Sequence, residues 1–209
     1  MEIRNITIDR EVGCCGVEIA AHVARRLNWK LIDKSLVHDI AKMANVDVEA
    51  VKKLDEHPDP FLSRISRLFW GGGAERGVLG ADQFDCKKMT EITRSVLLKA
   101  ANEGHRVIVG RGAPYILSGR ADTFHVFLYA PRQFKIERVR KYCKSDPHAE
   151  QVIDTADRER AAFIRQHFNI EWPERHVFHM MINTILGQDA VVDTILRTAG
   201  VVAEEGSLV

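Results

Sequence analysis

With 209 residues, of which 45% are hydrophobic, the chain is long enough to bury one sizeable core. Thirty Lys and Arg against 29 Asp and Glu leave no global basic field to demand nucleic acid and no acidic excess to mark a solvating tail. No run of about 18 or more apolar residues occurs, and the start lacks a basic and then apolar leader, so neither membrane spanning nor secretion is expected.

The first elements read as strand, tight loop and helix. Ile3, Ile6 and Ile8 with Thr7 form a β-rich run, Gly13-Cys14-Cys15-Gly16 is a turn of small residues, and Ile19, Val23 and Leu27 recur every four positions. A strand emptying through a glycine turn into a helix makes an anion site, because first-turn amides and the positive end of the helix dipole face the loop. The signature G-x-x-x-x-G-K-[ST] is absent: Gly16 stands about where its Lys would be, with Val17 and Glu18 following. A bare GxxG fits phosphate binding and a plain helix-start turn about equally. Cys14 and Cys15 with Cys86 and Cys143 show neither zinc spacing nor a disulfide framework; two small residues tolerated in a tight loop are favoured over a redox pair, and a reducing cytoplasm is the expected compartment.

Downstream, Trp29 to Ile32 is a short apolar run ending at Asp33. Two helical stripes follow, Leu36 to Ala44 and Val48 to Leu54, broken by His57-Pro58-Asp59-Pro60; this predicts a helical hairpin. Gly71-Gly72-Gly73 and the stretch to Asp85 predict a mobile loop, and Met89 to Ala101 an amphipathic helix. Val107-Ile108-Val109 predicts a buried strand ending in the turn Gly110-Arg111-Gly112, and Phe124 to Tyr129 a central strand covered on both faces. Pro131 opens a helix to Lys144 with six basic residues against Glu137, suited to phosphates but more commonly a solvated face. Asp154 to Phe168 is helical and carries Arg158, Arg160 and Arg165; Phe178 to Ile182 is a last strand, Val191 to Leu196 a closing helix, and the tail from Gly200 frays. His176 and His179 lack a third ligand at metal spacing, so packing or surface roles are favoured. Trp172-Pro173 fits a hinge or a loop anchor equally.

Strands alternating with helices predict an α/β fold with a parallel sheet and a ligand at the carboxyl ends of its strands. That topology sends Arg10, Arg111 and the pair Arg158 and Arg160 toward one edge, where guanidinium forks would suit phosphoryl transfer. Singly, each arginine reads as a surface ion pair.

Residues 6–20 (ITIDREVGCCGVEIA), 31–34 (LIDK) and 107–117 (VIVGRGAPYIL) together resemble the cytidylate-kinase-like family of P-loop proteins. Val126 to Pro131, Ile136 to Val139, Asp157 to Phe163 and Ile182-Asn183-Thr184 extend the likeness in the same order. The resemblance implies a single P-loop kinase-like domain over 1–209: a five-stranded parallel sheet with helices on both sides, core 1–33 and 86–200, an acceptor-binding helical insertion at about 34–85, an arginine-rich lid at about 145–175 and a tail at 200–209. It implies phosphoryl transfer from ATP with Mg²⁺ to a nucleoside monophosphate, CMP or dCMP foremost, and nucleotides rather than nucleic acid as partners. Carried over by position, Gly13, Cys14, Cys15, Gly16, Val17 and Glu18 would hold donor phosphates, Asp33 and Arg111 would face the acceptor, and Arg10, Arg158 and Arg160 would serve catalysis. The departures are the missing Lys and hydroxyl, and Val109-Gly110 where an acid often stands near the metal. Arg10 is expected to supply the charge instead, with Asp9 or Glu18 assisting Mg²⁺; Glu18 also reads as an ordinary first-turn acid. The competing classes are a nucleotide-binding regulator without catalysis and, behind it, a nucleic-acid module using the basic helix.

Overall fold

The structure is a computed structural model that describes residues 2–33, 82–142 and 149–201. The predicted helical hairpin and the frayed tail beyond Val201 lie outside those residues, as does the predicted mobile loop up to residue 81.

Five strands form one sheet: β1 (Asn5–Arg10), β2 (Lys30–Ile32), β3 (Arg106–Val109), β4 (Thr123–Tyr129) and β5 (Met180–Asn183). Their order is β2-β3-β1-β4-β5, and every pairing is parallel. Parallel neighbours need crossovers, which the helices supply: α1 (Gly16–Leu27), α2 (Asp82–Glu103), α3 (Ala113–Ile116), α4 (Arg132–Tyr142), α5 (Ala149–Phe168) and α6 (Gln188–Ala199). The result is a three-layer α/β fold.

Alternation along β1 explains the layering. Ile6 and Ile8 point into a core with Ile19 and Val23 of α1 and Val191 and Ile195 of α6. Asn5, Thr7 and Asp9, also buried, point to the opposite face, where the Asn5 side-chain amide donates to the Ala101 carbonyl of α2 at 3.0 Å. A second core there joins Ile108 of β3 to Leu97 of α2 and Leu117. Buried polar groups in a central strand must find partners. Thr7 Oγ1 and His125 Nδ1 lie 2.7 Å apart, and the His125 amide donates to His179 Nδ1 at 2.9 Å.

Several boundaries differ from the sequence reading: the helix expected from Asp154 begins at Ala149, and the last strand is Met180–Asn183 rather than Phe178 to Ile182. α2 starts at Asp82, seven positions before Met89, because no glycine or proline occurs between Gly80 and Gly104 and an acid at the start suits the helix dipole. β1 runs on through Asp9 and Arg10, paired with Phe127 and Leu128, so two charged residues end the central strand.

Candidate active site

β1 delivers the chain to a loop over residues 11–15. The Glu11 amide still donates to the Leu128 carbonyl at 3.0 Å, and the Cys14 thiol donates to the carbonyl of Glu11 at 3.1 Å, folding the turn on itself. Gly13 at φ 81° and Cys15 at φ 65° take left-handed conformations that reverse the chain. A Cβ on Gly13 would lie 3.0 Å from the Lys135 carbonyl, so α4 packs directly on the loop. α1 begins at Gly16 without a side-chain cap, so its first-turn amides are not consumed by the residue at the helix entrance. This is the geometry of an anion-binding turn.

Arg10 crosses that turn. Its Cγ would be 2.6 Å from a Cβ on Gly16, and its Nη1 occupies the space of a Cβ on Gly110. The side chain that would project from position 16 in a lysine-bearing loop is thus replaced in space by Arg10. Burial, then Arg160 and Arg111, push the Arg10 guanidinium down to about 10 against the opposing pull of Asp9. It stays cationic at neutral pH.

The neighbouring strand ends complete the edge. Gly110, Arg111 and Gly112 all have positive φ, and Phe168 at the end of α5 fills the place a Cβ on Gly112 would take. Burial lowers the Arg111 guanidinium and Asp33 at the end of β2 opposes that shift, so these two residues face each other electrostatically.

Residues of α4 and α5 missed by sequence reasoning form a network with the first loop behind Arg10. Asp157 of α5 accepts the Val12 amide at 2.9 Å and Arg160 Nη1 at 3.0 Å on Oδ1, and Lys135 Nζ at 3.4 Å on Oδ2. Lys135 also donates to Glu11 Oε2 at 2.8 Å. Arg160, 0% exposed, donates to the Arg10 carbonyl and lies with its guanidinium carbon 5.3 Å from the Trp172 ring centre. Arg158, on the same helix, is exposed. The two arginines assigned together from sequence therefore occupy different environments, as a two-residue offset on a helix demands. Trp172 anchors on the site, its indole donating to Asp9 Oδ2 at 2.8 Å. The signal for Lys135 and Asp157 was faint: Lys135 is three residues before Arg138, and Asp157 three before Arg160, spacings that share a helix face.

Glu18 and Val17 lie at the entrance. Arg138 Nη2 donates to Glu18 Oε1 at 2.6 Å, and Val17 is 47% exposed. Asp9 is committed to the Arg10 amide at 3.0 Å and to Trp172. A polyphosphate fits this donor set: turn amides of residues 13–18 with Arg10 beside them. A dedicated metal site does not stand out; among the described residues no group of three or more metal-ligating side chains occurs. Glu18, partly exposed, is the carboxylate at the mouth that a phosphate-held cation would meet. His176 is exposed, and His179 stacks on His125 at 5.1 Å between ring centres, a packing role.

The sheet order, the glycine turn and the arginine-lined strand ends define a P-loop kinase-like protein. The model of the cytidylate kinase-like family matches residues 5–185, and the chain belongs to that family. An uncharacterized protein from Eubacterium ventriosum is similar with a TM-score of 0.70 at 21% identity, covering 95% of this chain and 99% of that one. Shikimate kinase from Acinetobacter baumannii in complex with shikimate follows at a TM-score of 0.52 and 17% identity, over 94% and 92% of the two chains. A gluconokinase from Sinorhizobium meliloti stands at 0.53 and 12%, over 96% and 94%. At these identities the likeness is one of fold. A search of curated proteins found no match.

Proposed function

We propose that the protein transfers the terminal phosphoryl group of ATP, with Mg²⁺, to a nucleoside monophosphate, CMP or dCMP first among acceptors. The observation that carries this is the convergence of Arg10, Arg111 and Asp33 on the carboxyl ends of β1, β3 and β2, beside the turn of Gly13 to Gly16. ATP supplies the reactive phosphoryl group; the chain supplies orientation and positive charge. Backbone amides from Gly13, Cys14, Cys15, Gly16, Val17 and Glu18 hold donor phosphates. Arg10 stands in for the loop ammonium, and Arg111, balanced by Asp33, receives the acceptor phosphate. Arg160 holds the Arg10 carbonyl and so helps to position that residue. Arg158, exposed on α5, closes over bound nucleotide.

The test is turnover of Mg²⁺-ATP with CMP, dCMP, UMP, AMP and GMP in turn, following ADP. One acceptor is expected to turn over, and Arg10→Ala and Arg111→Ala each to lower kcat/KM about 100-fold or more. A second reading draws on Gly16 and Glu18, where a lysine and a hydroxyl would stand: a nucleotide-binding regulator without catalysis. ATP binding without turnover for any acceptor would favour it.

A further inference from the structure

The carboxylate of Asp157 is surrounded as a phosphoryl group would be. Its oxygens take a backbone amide from the phosphate loop (Val12, 2.9 Å), a guanidinium (Arg160, 3.0 Å) and an ammonium (Lys135, 3.4 Å). An ion pair serving only to join α4 to α5 has no need of a loop amide. This carboxylate instead reaches 145 positions back in the sequence to the stretch that the fold sets aside for phosphate. The donors are shielded: the side chains of Lys135 and Arg160 are 10% and 0% exposed, and that of Asp157 18%. Burial raises the Asp157 carboxyl despite the opposing pull of Arg160, the Val12 amide and Lys135, with Glu11 adding to the rise. An amide, a guanidinium and an ammonium thus meet on one carboxylate, a donor set that also suits phosphoryl oxygens.

We propose that Asp157 is a resident surrogate for phosphate, and that the Val12 amide, Lys135 and Arg160 form a binding site for the terminal phosphoryl group of a nucleoside triphosphate. Lys135, reaching the loop from a separate helix, then brings an ammonium to the terminal phosphoryl in addition to the Arg10 guanidinium that takes the space beside position 16. Glu11 holds that ammonium at 2.8 Å until the ligand arrives. Entry of the terminal phosphoryl displaces Asp157, and the same amide, guanidinium and ammonium pass to its oxygens. This rests on the loop being the donor phosphate site.

The discriminating experiment titrates ATP, ADP and inorganic tripolyphosphate into the full chain by calorimetry, comparing wild type, Asp157→Asn, Lys135→Gln and the double variant. Asp157→Asn keeps the shape and an acceptor for the Val12 amide while removing the competing charge. It is expected to bind ATP and tripolyphosphate about 10-fold more tightly, with ADP, which lacks the third phosphoryl, changed less than about twofold. Lys135→Gln is expected to weaken ATP about 10-fold and to abolish the gain in the double variant. A merely structural Asp157 would shift ATP and ADP together, and that result overturns the proposal. Unchanged ATP affinity in Lys135→Gln overturns it as well, and that arm decides if Asp157→Asn fails to fold. Binding and turnover by wild type without the ATP-over-ADP gain sinks this inference alone. Failure of every variant to bind any of the three ligands sinks the phosphate-loop reading with it.

Discussion

Arg10 and Gly16 define each other. The arginine's Cβ and Cγ lie 2.8 and 2.6 Å from where an alanine methyl at position 16 would sit, and these atoms are close to the backbone, so they cannot swing away freely. Gly16→Ala is expected to cost about 1–3 kcal/mol in denaturant unfolding and to displace Arg10 from the turn. The adjacent cysteines behave as small core residues. Cys14 is 0% exposed and burial pushes its thiol up to about 12, and burial raises Cys15 too. Iodoacetamide at roughly pH 7.5 should leave both unmodified in the folded protein and label both in guanidinium, read by peptide mass mapping. Fast labelling of the folded chain would contradict that placement. The glycine turn was legible because small residues between a β-rich run and a four-residue periodicity admit few structures. Lys135 and Asp157 were not, since their proximity to residues 11 and 12 is created only when α4 and α5 fold over the loop.

Among the elements, α4 shows how a basic helix can be matched internally. Of its cations, Arg132 pairs with Asp154 at 2.6 Å, Lys135 with Glu11 at 2.8 Å and Arg138 with Glu18 at 2.6 Å. The sequence offered solvent or phosphate as counterparts; α5, the first loop and the first turn of α1 supply acidic partners that spacing alone does not reveal. β4 was readable as a strand buried on both faces, but its interior histidine was not weighed. His125 is 1% exposed and is pushed down to about 4, first by burial and then by neighbouring His179. A histidine depressed in the fold adds stability that is full above its unfolded value of 6.5 and is lost as pH falls toward 4. The loss amounts to about 3 kcal/mol over that window. Thermal unfolding should show Tm falling from pH 6.5 toward pH 4, with a flatter profile in His125→Asn; equal slopes in both proteins would contradict the assignment.

At the scale of the molecule, the parallel sheet in the order β2-β3-β1-β4-β5 was legible as a class because apolar runs alternate with helical stripes from end to end. Strand order itself was not legible, since crossover lengths alone permit other arrangements. The sheet places three strand ends, those of β1, β2 and β3, around one turn, and thereby gathers Arg10, Asp33 and Arg111 from distant parts of the chain. Among the described residues no helix is long and apolar enough to cross a membrane. The most direct measurement follows a labelled γ-phosphoryl group from ATP in the presence of CMP or dCMP. The account predicts label in the nucleoside diphosphate, with transfer lost in Arg111→Ala while ATP still binds. Label that stays in ATP or emerges only as free phosphate, whatever the monophosphate offered, would contradict it.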